Sequence, residues 1–202
     1  MAPRAGARAG SALEGTVRDR RYVADRGVVT TTGISASIPA SLAVVEAIGG
    51  RDRAEKLARE LGVTGWDEGH DSDAFRLGGH LWTAVGNTLA FWNHETIGLP
   101  LEGRVDDIAL AFTADAYSRT YRSQVETIAG SDAPLITLRG IEVLPDRVGR
   151  DAARAAQLPP VSATESARAL DLALEGIAER YGRRTAAFVA LQLEYPWSRP
   201  ER

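Results

Sequence analysis

Three histidines, His70, His80 and His94, are the residues of this chain best suited to general base or metal-ligand chemistry. Acidic residues stand beside two of them: Asp71 and Asp73 follow His70, and Glu95 follows His94. Imidazole with carboxylate is a donor set that suits zinc and similar divalent ions. His80 and His94 bound HLWTAVGNTLAFWNHE, which reads as one helix. They would share a face but lie about 21 Å apart along its axis, too far for one ion. His70, Asp71 and Asp73 could share an ion, but WDEGHDSD equally has the composition of a solvated polar loop. The expectation is no metal and no cofactor.

Hydroxyl groups cluster in VVTTTGISASIPASLAVVEAIGG, from Val28 to Gly50. Thr30 to Thr32, Ser35 and Ser37 suggest a serine nucleophile, yet no G-x-S-x-G elbow is present and no histidine stands in an identifiable relation to them. A helix N-terminus there offers free N–H groups to an anion. Thr32, Gly33 and Ser35 are therefore the candidate ligand contacts, set against the plainer reading that small residues let strand and helix pack closely. With no cysteine in the chain, disulfides, thiolate zinc sites, iron–sulfur clusters and cysteine nucleophiles are all excluded.

Trp82, Phe91 and Trp92 read as core side chains rather than a stacking platform, because no basic residues interleave them. The net charge is −3, and the basic residues, all arginine except Lys56, are scattered. No nucleic-acid partner is expected from that distribution. No apolar run approaches the length of a membrane span. The opening MAPRAGARAGSALEG lacks an apolar signal core and reads as a tail, so the cytoplasm is the expected location of the chain as written, and the location is open if a signal segment lies upstream.

The elements that must position these residues follow from periodicity. RYVA and GVVTT read as a hairpin turning at Asp25-Arg26-Gly27. Ser37 is the expected N-cap of a helix whose first turn holds Pro39, with Ile38, Leu42, Val45 and Ile48 on one stripe and Gly49-Gly50 as the stop. RDRAEKLARELG reads as a surface helix closed by Gly62. The helix from His80 would end at Gly98 and Pro100. VDDIALAF fits strand or helix. Val125 to Ile128 and Leu135 to Leu144 read as β-segments around the turn Gly130-Ser131-Asp132, and 147–160 as a polar linker. Ser162 and Glu165 form a capping box for a last clear helix carrying Leu170, Leu174, Ile177 and Tyr181. A further apolar segment, TAAFVALQLEY, follows. The mix predicts an α/β or α+β protein.

The segment from Arg18 to Val63 resembles the ThiJ/PfpI family of the class I glutamine amidotransferase-like superfamily. VVTTTG, the small residues Ser35 to Ser37, the helix IPASLAVVEAIGG and then RAEKLARELG carry the likeness; Pro39 departs from it, where family regulators tend to carry an acidic residue. YRSQVETIAGSDAPLITLRGIEVLPD, within Ile108 to Asp146, is similar to the early part of such domains. The resemblance implies an incomplete flavodoxin-like sandwich with extra C-terminal helices. It divides the chain into a tail (1–17), the C-terminal part of one ThiJ/PfpI-like domain (18–100), and a second, degenerate segment with C-terminal helices (101–196).

The family's catalytic cysteine, and the histidine and acidic residue that serve it, carry over to no position. The implied function is that of a non-catalytic domain with a structural or ligand-binding role. Two alternatives stand beside it: part of a ThiJ/PfpI hydrolase or amidase-like enzyme whose catalytic half lies upstream, or a ligand-sensing module of a bacterial transcriptional regulator. The order of matched elements predicts a longer natural protein. A sheet that has lost neighbours around Val28 would expose an apolar edge, so a homodimer through that edge is expected.

Overall fold

The structure, a computed structural model, describes residues 17, 19–75, 80–89, 94–149, 156–161 and 166–197. Strands β1 (Tyr22–Asp25) and β2 (Val28–Thr31) form the expected antiparallel hairpin. Arg26 and Gly27 turn it with φ of 48° and 82°, the doubly left-handed turn that matches the twist of a two-residue hairpin. The hairpin is a sheet of its own, and all four β2 positions are exposed.

Helix α1 (Ser37–Gly49) buries Pro39, Ala40 and Leu42 and stops at Gly50, whose φ of 86° suits glycine. The expected Ser37 cap is not formed. A single 3-10 turn, Ile34–Ala36, leads into the helix, Ala36 is the cap residue, and Ser37 is already helical. Helix α2 (Arg51–Leu61) buries Ala54, Ala58 and Leu61 on one stripe and closes on Gly62 in the left-handed conformation. The polar loop that follows is tied down. Arg20 bridges Gly69, and Asp19 and Ser72 each bond the other's main-chain N–H through a side-chain oxygen at 3.0 Å.

Helix α3 (His80–Leu89) is shorter than the periodicity predicts. Residues 90–93, including Phe91 and Trp92, lie outside the described residues, and Glu95 already belongs to a strand. Trp82 is not a core residue; it is 78% exposed. Gly98 and Pro100, expected to stop a helix, belong instead to β3 (Glu95–Pro100), whose last four residues are buried. ETIGLP has neither helical periodicity nor strand alternation, because a central parallel strand is covered on both faces. Gly98 makes room for a neighbour: a Cβ there would meet Ile128 Cδ1 at 2.8 Å.

β3 is one of four parallel strands, with β4 (Ser123–Ala129), β7 (Arg147–Val148) and β8 (Ala156–Gln157), in the order β7-β4-β3-β8. The stretch read as a polar linker thus supplies two short strands, which main-chain pairing rather than side-chain pattern recruits. Between β4 and β7, β5 (Leu135–Ile136) and β6 (Glu142–Val143) make a separate tight hairpin rather than one continuous strand. VDDIALAF resolves as the start of helix α4 (Asp107–Ser118), between β3 and β4.

Helices α5 (Ala169–Tyr181) and α6 (Arg183–Gln192) join at Gly182, φ 88°. Ile97, Leu99 and Val105 pack with Leu170, Leu174 and Ile177 of α5 and Val189 and Leu193 after it. Each such side chain contributes about 1.5–3 kcal/mol by leaving water, so this cluster is the core. The expected capping box at Ser162 and Glu165 lies outside the described residues. In all, the chain is mixed α/β with a four-stranded parallel sheet and, among the described residues, six α-helices, none long and apolar enough to cross a membrane.

Candidate functional site

In an open parallel sheet, ligands bind beyond the carboxyl ends of the strands, where successive connections run to opposite sides. Here that point falls between β3 and β8. From β3 the chain moves out to β4 and β7, then returns to the other side of β3 as β8. The connection leaving β3 ends at Asp106; after β8 the described chain runs to Val161 and resumes at Ser166.

Asp106 is 3% exposed and caps α4, accepting the Ala109 N–H at 2.9 Å. An aspartate after a hydrophobic residue, just before an apolar run, is a recognisable cap signal. Ser166 Oγ donates to Asp106 Oδ2 at 2.7 Å. Arg139 reaches in from the β5–β6 turn. It donates to Asp106 Oδ1 at 3.1 Å and to Ser166 Oγ at 2.9 Å, and also pairs with Asp107. Leu138 N–H donates to Val105 O at 2.9 Å, so main chain holds the turn in place as well.

Burial works to raise the pKa of Asp106, but the Ala109 N–H, the Arg139 guanidinium and the Ser166 hydroxyl outweigh it and hold the carboxyl below the ordinary aspartate value. A carboxylate with its oxygens occupied and its proton affinity lowered is a poor general base. Its work is to join three connections.

Beside this network lies a groove of about 610 Å3, within the range of small-molecule sites. Ile38 and Leu42 of α1 and Leu57 and Leu61 of α2 form one wall; Ile108 and Phe112 of α4 face them. Asp107, Arg139, Ser37 and Ser41 supply polar groups at its margin. Asp115, also on the groove, is paired with Arg119 at 2.8 Å.

The candidate ligand contacts lie next to this groove in sequence, and their polar groups meet protein. Thr32 N–H donates to Arg21 O at 2.9 Å. Ser35 N–H donates to Leu193 O at 3.3 Å, and its hydroxyl to Glu194 O at 2.9 Å. A Cβ on Gly33 would sit 2.7 Å from Leu193 O. Ile34 and Ser37, which flank Ser35 and Ala36, are the members of this turn that reach the groove.

The histidines are dispersed. His70 is not solvated: its side chain is 6% exposed, stacks on Phe75 with centroids 5.0 Å apart, and places Nε2 3.1 Å from Glu194 Oε2. His94 Nε2 lies 3.0 Å from Asn87 O, and His80 opens α3. Among the described residues no three His, Asp or Glu side chains gather in a metal-binding group.

Asp106 is not among the residues singled out in the sequence, nor are Arg139 and Ser166. Nothing local marks the latter two, since their partners lie 33 and 60 residues away. No protein-family model, no curated protein and no solved structure matches this chain.

Proposed function

We propose that this chain is a non-catalytic, ThiJ/PfpI-like α/β module that holds a small, largely apolar ligand in the groove between α1, α2 and α4. The observation that carries the reading is the closed Ser166–Asp106–Arg139 network at the strand switch point. Where an enzyme of this architecture would keep a free acid or base, this chain has a carboxylate whose oxygens accept from its own residues. The absence of cysteine agrees. The strand order β7-β4-β3-β8, third, second, first, fourth in chain order, is that of an open doubly wound sheet. The groove explains what a module without a nucleophile can still do. Its walls bury an apolar body, and Asp107, Arg139 and the α1 hydroxyls orient a polar end.

The test is a fluorescence titration with 1-anilinonaphthalene-8-sulfonate, an apolar probe with one polar end. Saturable binding is expected, weakened at least about tenfold in Ser41→Trp, which fills the groove from an exposed position. The probe should be recovered chemically unchanged. Equal binding by the filled variant would place the probe elsewhere and remove the reading's support.

A further inference from the structure

A second cavity, of about 570 Å3, lies on a different part of the molecule, between the 69–75 loop and the end of α6. Phe75, Leu191, Tyr195 and Trp197 give it an aromatic and apolar lining, and Arg21 and His70 reach it from neighbouring chain segments. Main-chain pairing explains why those two arrive together. Arg20 bridges Gly69 in antiparallel sense, Arg21 N–H donates to Glu68 O at 2.9 Å, and His70 N–H donates to Asp19 O at 3.2 Å. Side chains alternate across such a ladder, so Arg21 and His70 share one face of it.

The two bases differ in what they already hold. His70 faces Glu194 at 3.1 Å and stacks on Phe75, and Asp71, the next residue, also lines the cavity. The Arg21 guanidinium has no hydrogen bond or ion pair among the described residues, although its neighbour Arg20 pairs with Glu68. Tyr195 is fixed by its hydroxyl, which donates to Asp171 Oδ1 at 2.9 Å, so this part of the lining is held in place.

From this we infer that the cavity is a binding site for a small aromatic carboxylate. Its ring would lie among Phe75, Tyr195 and Trp197, and its carboxylate on Arg21. An aromatic ring gains both from burial and from edge or face contacts with other rings. A guanidinium fork takes a carboxylate through two parallel N–H donors, and takes an amine through none. The inference is independent of the groove: it uses other residues, and either site could fail alone.

Isothermal titration of the full chain tests it, with phenylacetate, L-phenylalanine, 2-phenylethylamine and acetate as ligands. Binding of either aromatic carboxylate, with 2-phenylethylamine and acetate at least about tenfold weaker, is expected. Binding of phenylacetate alone would mark the site as one for simple acids, and of L-phenylalanine alone as one for amino acids; both keep the shared chemistry. Arg21→Met should weaken the binding at least about tenfold, as expected from losing a charge-assisted bidentate contact. Arg21→Lys should restore part of it. The main-chain bonds of Arg21 survive both substitutions, and an unchanged melting temperature confirms folding. No binding of either carboxylate, equal binding of the amine, or unchanged affinity in a folded Arg21→Met overturns the inference.

Discussion

Ser166 Oγ donates to Asp106 Oδ2 across 2.7 Å, and that one bond links the connection leaving β3 with the chain that follows β8. With Arg139 completing the network, three connections of the sheet meet on one carboxylate. The carboxylate serves as a clasp between them. Asp106→Ala removes a helix cap and leaves Arg139 short of a partner, and should cost about 2–4 kcal/mol in chemical denaturation. Ser166→Ala should cost about 1 kcal/mol. The double variant should cost less than the two single effects together, because the two side chains share one network.

The same network gives the protein an acid-sensitive component. Asp106 is held below its ordinary value, and Glu95 is lowered by the Arg180 guanidinium against opposing burial. Groups depressed in the folded state stabilise it above their unfolded pKa, and that contribution is lost as pH falls through the folded value. Stability should therefore be level near neutrality and fall below about pH 4, and Asp106→Asn should flatten that fall. At the alkaline end the sign reverses. Burial pushes the Tyr181 phenol up to about 12, so its contribution is full below the unfolded value near 10 and disappears as pH rises through the folded one. Tyr181→Phe should remove that alkaline loss, read as melting temperature against pH.

Two glycines rank by what surrounds them. At Gly98 an added Cβ meets the end of the Ile128 side chain, which can yield partly. At Gly33 it meets the main-chain oxygen of Leu193, which cannot yield without moving the end of α6. Gly98→Ala should cost about 1–3 kcal/mol, and Gly33→Ala more. Thermal melting of the two variants gives the order.

The β1–β2 hairpin leaves Val28 62% and Val29 40% exposed on a strand that, among the described residues, pairs with β1 alone. Such an edge invites pairing with a second copy. Light scattering after size exclusion should show a concentration-dependent dimer, shifted toward monomer by Val28→Lys. A monomer at all concentrations would remove the edge as an interface.

The hairpin, α1, α2 and α5 were legible in the sequence because each carries its own periodicity and its own glycine stop. The central strand was not. Glu95-Thr96-Ile97-Gly98-Leu99-Pro100 lacks alternation because both its faces are covered, and its glycine and proline imitate a helix terminus. β7 and β8 were hidden for a different reason: two-residue strands in Ala- and Arg-rich chain are defined by their partners. At the candidate site, Asp106 carried a local signal in its position before the apolar run of α4. Arg139 and Ser166 carried none, since only the sheet brings them together. Ser35 has the type and position of a ligand contact in the sequence, and its hydroxyl donates to Glu194 O.

The central claim is a groove that holds a ligand without chemistry, and mapping the bound probe by amide chemical shifts tests it most directly. Titrating 15N-labelled protein with 1-anilinonaphthalene-8-sulfonate should shift the amides of Ile38, Ser41, Ile108 and Ile141 together, along one saturable isotherm. Shifts confined to residues around Arg21 and Trp197, or absent from α1 and α4, would contradict it.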